Sequence, residues 1–247
     1  MPRLRREKSS SGIYHVMVRG INHQQIFEDA EDNQKILECL LKYKAAGEYE
    51  LYAYCLMGNH FHLLINEKDD TLSQIMKRVG TRFVYWYNWK YCRSGHLFQD
   101  RFKSEPVESD AYLLTVLRYI HLNPVKAAIC LDPSGYQYSS YHAYLDGKDD
   151  LVDTHLALEM IGKAGFEKFH HEENDDTCLE HEIKKRLTDE EAQSLIKDVT
   201  GFSSPGLIQT LALSERNDAL RKLKQEQLSI RHISRLTGIS KMIVERV

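Results

Sequence analysis

The sequence predicts an α+β fold: a ferredoxin-like β-α-β-β-α-β antiparallel sheet with one added helix, then an all-α region ending in a helix-turn-helix. Three observations carry this. Up to residue 107, apolar runs of strand length alternate with segments whose apolar residues fall three and four apart, in the order of a split β-α-β unit. Gly58-Asn59 separates two such runs, as a two-residue hairpin turn with glycine first would. The C-terminal stretch LSIRHISRLTGISKMIVERV reads as a short helix, a glycine turn and a second helix.

Each element has a local reason. IYHVMV (13–18) is a strand ended by Arg19-Gly20. A helix is expected from about Asp32 to Ala46, with Ile36, Leu37, Leu40 and Leu41 on one face and Gly47 as its stop. ELYAYCLM (50–57) and HFHLLIN (60–66) are the hairpin strands. Thr71 caps a long helix to about Cys92 with Leu72, Ile75, Met76, Val79 and Phe83 inward. HLFQDRFKSEPV (96–107) reads as a fourth strand, on which Gln99, Arg101 and Lys103 share a face. Ser109 caps the added helix, 109–122, which buries Leu113, Val116, Leu117 and Ile120 and is stopped by Asn123-Pro124.

Three regions follow from this order. Residues 1–131 form the sheet domain. Residues 132–179 are an acidic stretch that wraps back on it and becomes a polar linker at 170–176, where His170 and His171 read as solvent residues. Residues 180–247 form a helical domain. There, Ser229 caps a helix carrying Ile230, Ile233 and Leu236, and Ser240 starts another with Ile243 and Val244 inward.

Composition narrows the class. In 247 residues, 42% hydrophobic and 28% charged content is that of a globular protein with a real core. No apolar run reaches membrane-span length, and the basic start MPRLRREKSSSG lacks a secretory apolar stretch, so a cytoplasmic protein without a membrane partner is expected. Five scattered cysteines, never in a CxxC pair, argue against both a disulfide framework and a cysteine zinc site. The net charge of −3 hides segregation. From Lys77 to Lys103 seven Lys/Arg face the single Asp100, whereas from Asp146 to Glu191 fifteen acidic residues face six basic. Local basic surface of this kind attracts phosphates even at a near-neutral pI; solvated helix faces are the plainer account of any one cluster.

The stretch GNHFHLLI (58–65) poses the functional question. Alternate strand residues share a face, so His60 and His62 project together. Either they are half-buried histidines satisfied by neighbours, or they are two ligands of one metal. A further ligand would come from the added helix, where Tyr119 and Asn123 lie one turn apart and can provide a nucleophile and an oxygen ligand. The plainer account has Tyr119 at the core margin and Asn123 ending the helix. His121 points nearly opposite to Tyr119.

GNHFHLLI, GHLFQDRFKS and RYIHLNPVKA, with VRGINHQQIF after the first strand, resemble the REP-associated tyrosine transposases, which are single-tyrosine transposases of the histidine–hydrophobe–histidine class. The likeness runs from MPRLRR to about residue 129. It implies that His60 and His62 bind a divalent metal, Mg²⁺ or Mn²⁺, and that Tyr119 is the catalytic nucleophile. Asn123 stands where single-tyrosine enzymes carry a polar third ligand, glutamine in the better-known insertion-sequence transposases. The implied reaction is cleavage and transfer of single-stranded hairpin DNA through a 5′-phosphotyrosine intermediate. Such an exchange of phosphodiesters needs no nucleotide energy source, and the chain has no GxxxxGK[ST] loop.

Candidate DNA contacts are Arg3, Arg5 and Arg6 in the N-terminal arm, Arg101 and Lys103 beside the site, and Arg231, Arg235 and Lys241 in the tail. The tail would add a duplex-DNA partner through its helix-turn-helix. RFVYWYNWKY (82–91) holds five Tyr and Trp residues, more than one helix face buries, so some are expected to stack on unpaired bases and most to pack. The competing reading is a non-catalytic ferredoxin-like and helix-turn-helix DNA-binding regulator. Both a monomer and a homodimer are compatible with the sequence.

Overall fold

The computed structural model describes residues 6–47, 49–147, 149–174, 176–179, 188–202, 204–226 and 228–247. The chain divides into two compact units, Met1–Glu180 and His181–Val247. In the first, β1 (Ile13–Arg19), α1 (Ala30–Lys44), β2 (Tyr49–Met57), β3 (His60–Glu67), α2 (Leu72–Lys90) and β4 (Lys103–Pro106) follow in order. The sheet order is β2-β3-β1-β4 with every neighbouring pair antiparallel, so β1 and β3 are central.

The pleat sorts the strand residues onto two faces. Val16, Val18, Phe61, Leu63 and Ile65 form one buried face. Phe61 meets Phe27 and Phe98, both in contact with Phe83 of α2. The two long helices are tied together by charge: Lys90 near the C-terminus of α2 pairs with Asp29, Glu31 and Asp32 at the N-terminus of α1. This suits both helix dipoles. The other face carries His15, Met17, Arg19, His60 and His62, and is covered by α3 (Asp110–Lys126).

Several boundaries differ from the expectation. α1 starts two residues earlier because Asp29 forms a capping box with Asp32. The fourth strand is only four residues long: Phe98 makes an isolated bridge to Gly20, but Gln99 to Phe102 are not in the ladder. Gly58 is not among the glycines with positive φ, so the hairpin does not use a left-handed glycine first. α3 does not stop at Asn123 but runs through Pro124 to Lys126.

Residues 132–179 are part of the first unit's packing. Leu56 N–H donates to the Tyr138 carbonyl and Ser140 N–H to the Tyr54 carbonyl, both at 2.9 Å, so this region covers the open edge of β2. Tyr144, wholly buried on α4 (Tyr141–Asp146), stacks on Phe166 of α6 (Lys163–His171) at 4.8 Å. Between them lies α5 (His155–Ile161). His170 is therefore a buried residue, 3% exposed, and not a linker residue. Its Nδ1 donates to the Phe166 carbonyl and its Nε2 accepts from His121 Nδ1 at 2.9 Å, while His121 Nε2 lies 2.8 Å from Ser140 Oγ. His171 is exposed, as expected, and pairs with Asp132.

The second unit contains α7 (Asp189–Thr200), α8 (Leu213–Gln225), α9 (Ile230–Thr237) and α10 (Lys241–Arg246). Its core is separate: Ala192, Ile196, Leu220, Leu223, Ile233 and Val244 are buried together. Ser229 Oγ accepts from His232 N–H, and Gly238, at φ 74°, takes the left-handed conformation that ends α9. The expected start of the helical region at 180–187 lies outside the described residues.

Candidate functional site

The site is built on the sheet face beneath α3. Register fixes its composition: Arg19 pairs with His60, Met17 with His62 and His15 with Leu64, so the side chains of all six lie on one face. On the opposite flank His15 pairs with Glu105 and Met17 with Lys103. His60 and His62 project together, as alternation requires, with ring centroids 5.2 Å apart. α3 brings Tyr119 over them. Its ring stands edge-on 5.8 Å from His62 and 5.7 Å from His15.

α3 is oriented by its own sequence. Ser109 caps it by accepting from Tyr112 N–H, and Leu113, Val116, Leu117 and Ile120 are buried. This stripe leaves Tyr119 on the histidine side and His121 on the side of His170. Asn123 follows Tyr119 by one turn, but its Nδ2 donates to the Tyr119 carbonyl at 2.8 Å, so this bond runs along the helix. The Lys126 ammonium lies 4.5 Å from the centroid of the Tyr119 ring. Tyr119 is buried, 4% exposed.

His15 escaped the sequence reading. It lies wholly buried between two partners: Nδ1 is 2.8 Å from Glu105 Oε1 and Nε2 is 2.9 Å from His62 Nδ1. The available signal was a histidine in the middle of the apolar run IYHVMV, but nothing local says which strand it faces. Burial depresses the His15 pKa, against the pull of Glu105. Burial pushes the Glu105 carboxyl up, yet hydrogen bonds from His15 and Leu179 N–H bring it below its ordinary range.

A cation at His60 and His62 fits the donor set. His60 Nδ1 lies 2.6 Å from Asn59 Oδ1, an acceptor, so the proton sits on Nδ1 and the lone pair on Nε2. Among the described residues no group of three or more His, Cys, Asp and Glu is arranged to hold a metal ion.

The other candidates fall elsewhere. Arg3 and Arg5 lie outside the described residues. Arg6 lies over the Phe102 ring at 3.6 Å and donates to the Phe102 carbonyl. With Lys77, Tyr85, Phe98 and Arg101 it lines a cleft of about 640 Å³ that also reaches Val18 and Phe61, on the sheet face away from the histidines. Arg101 therefore does not share a strand face with Lys103, because residues 99–102 leave the ladder. Of the five Tyr and Trp residues at 85–91, Tyr85 and Trp89 are exposed, Tyr87 is buried and Trp86 and Tyr91 pack partly. In the second unit, Arg231 and Lys241 are exposed, while Arg235, also exposed, pairs with Asp189.

Part of the chain is similar to known proteins. The family model described as IS200-like transposase matches residues 8–123. A solved structure of a REP-associated tyrosine transposase bound to a REP hairpin superposes with a TM-score of 0.52 at 21% identity, covering 62% of this chain and 94% of that one. At that identity the likeness establishes the fold. No curated protein gives a significant match.

Proposed function

We propose, from the premise that residues 8–123 belong to the IS200-like transposase family, that this protein cleaves and transfers single-stranded hairpin DNA with Tyr119 as nucleophile. The observation that carries the proposal is the seating of Tyr119 against the face that bears His60 and His62. In this reading the Tyr119 oxygen attacks the scissile phosphorus as its proton leaves. An O–P bond to the tyrosine forms, the bond from phosphorus to the 3′ oxygen breaks, and that oxygen ends as a hydroxyl. The product is a 5′-phosphotyrosine, and the reverse exchange joins strands.

His60, His62 and the Asn123 oxygen would hold a divalent cation. Bound Mg²⁺ or Mn²⁺ supplies charge neutralisation at the phosphate. Lys126, beside the Tyr119 ring, favours the negative charge that develops on the phenol oxygen. The solved transposase bound to a REP hairpin supports hairpin DNA as the substrate class. The cleft of Arg6, Lys77 and Arg101 has the chemistry an unpaired strand needs, with cations for phosphate and the Phe98, Phe102 and Tyr85 rings for bases. Arg231 and Lys241 on the second unit are offered as contacts to duplex DNA.

The test is to incubate the full chain with a panel of hairpin single strands and Mn²⁺ and resolve the products on a denaturing gel. A protein–DNA adduct is expected. Hairpin binding with neither adduct nor cleavage would favour the regulator reading instead.

A further inference from the structure

The histidine face contains a chain of three side chains of which the reaction above uses only the last: Glu105, His15 and His62. Glu105 is anchored by Leu179 N–H, from which its Oε1 accepts at 2.9 Å. The same oxygen lies 2.8 Å from His15 Nδ1. A carboxylate only accepts, so the His15 proton is on Nδ1. A neutral imidazole protonated there presents a lone pair at Nε2, and this atom lies 2.9 Å from His62 Nδ1. The contact is a hydrogen bond only if His62 carries its own proton on Nδ1, which assigns the His62 lone pair to Nε2.

Two further observations point the same way. His60 reaches the same tautomer by a separate device, the Asn59 amide oxygen 2.6 Å from its Nδ1. His15 sits at the centre of an otherwise apolar strand with no exposed surface, where an imidazole is costly to bury unless both nitrogens are engaged.

We infer that Glu105 and His15 are positioning residues that fix the tautomer and ring orientation of His62, so that Nε2 is its metal-ligating atom. The inference rests on His60 and His62 being ligands. Groups that hold the second nitrogen of a ligating histidine typically govern metal affinity by 10–100-fold.

The experiment joins two measurements on the full chain: long-range ¹⁵N correlation spectra of the metal-free protein and calorimetric titration with Mn²⁺. In the wild type, His62 should be protonated on Nδ1, and Mn²⁺ binding should disappear in His62→Ala. His15→Phe keeps a buried ring but removes the acceptor. It should shift His62 toward the Nε2-protonated form and weaken Mn²⁺ binding about 10–100-fold. His15→Gln, whose amide oxygen can accept from His62, should recover part of that loss. Glu105→Leu, at a strand position that is not fully buried, removes the acceptor for His15 Nδ1, gives an arm that does not depend on His15→Phe folding, and should weaken Mn²⁺ binding in the same direction. Wild-type Mn²⁺ affinity and an unchanged His62 tautomer in folded His15→Phe would overturn the inference while leaving the metal reading intact. A wild-type protein that takes up no Mn²⁺ would overturn both.

Discussion

Tyr119→Phe removes one oxygen from a ring that is packed against His15, His62 and Lys126, and leaves the ring where it is. Adduct formation and cleavage should therefore vanish while hairpin affinity, read by gel shift, stays within a few-fold of wild type. An unchanged adduct yield would remove Tyr119 from the mechanism. His60→Ala and His62→Ala should each abolish cleavage that chelator also abolishes, since two protein imidazoles leave too few bonds for a cation when one is lost. Chelator-insensitive cleavage by the wild type would sink that expectation. His170 belongs to a different buried cluster, where burial brings its pKa down to about 4 and shifts His121 the same way. The unfolded chain binds these protons near pH 6.5, so the stabilisation is complete above pH 6.5 and is lost as pH falls toward 4. For His170 alone this amounts to about 3 kcal/mol. Thermal unfolding followed by circular dichroism should show a shallower decline from pH 6.5 to 4 in His170→Gln than in wild type; parallel slopes would contradict this.

At the scale of elements, the loop after β1 supports the hairpin turn that precedes His60. Gly20 N–H donates to the Asn59 carbonyl, and the N–H groups of Ile26 and Phe27 both donate to the Gly58 carbonyl. The two glycines of this junction differ in what a methyl group would meet. At Gly20 a Cβ would fall 2.3 Å from the Gln24 carbonyl oxygen, which is backbone and cannot move alone. At Gly58 it would meet the tip of the Gln25 side chain, which can swing away. Gly20→Ala should thus destabilise the protein by about 1–3 kcal/mol, as overpacking does, and Gly58→Ala by much less. Urea denaturation of the two variants checks the ordering, and equal midpoints would refute it. This explains why VRGINHQQIF reads as a motif: besides placing Arg19 on the site face, it shapes the turn on which His60 is mounted.

For the whole molecule, each unit has its own buried core, and the histidines, Tyr119 and Asn123 all lie in the first. Removing residues 181–247 should leave a protein that still forms the adduct. It should bind its DNA more weakly and with a smaller salt dependence if Arg231 and Lys241 meet phosphate. Binding isotherms of the full and shortened chains at several salt concentrations make the comparison. An identical salt slope and sequence preference would show that the tail is no DNA-binding element, and loss of cleavage would show that it helps build the site.

The sequence by itself determined the element order, the shared face of His60 and His62 and the stripe on α3 that carries Tyr119, because strand and helix periodicities are local and strongly imposed. It also contained the glycine turn of α9 and the caps Thr71, Ser109 and Ser229, since these depend on residues within one turn. Only the tertiary structure decided the rest. His15 meets His62 because β1 pairs with β3 in one particular register, across 47 positions of chain. Arg101 left its expected face because the ladder with β1 begins only at Lys103. α3 ran past Pro124 because a proline removes one backbone donor without having to end a helix whose flanks are packed. His170 turned inward because the acidic stretch closes the edge of β2, and a free strand edge is satisfied by whatever backbone the fold brings to it.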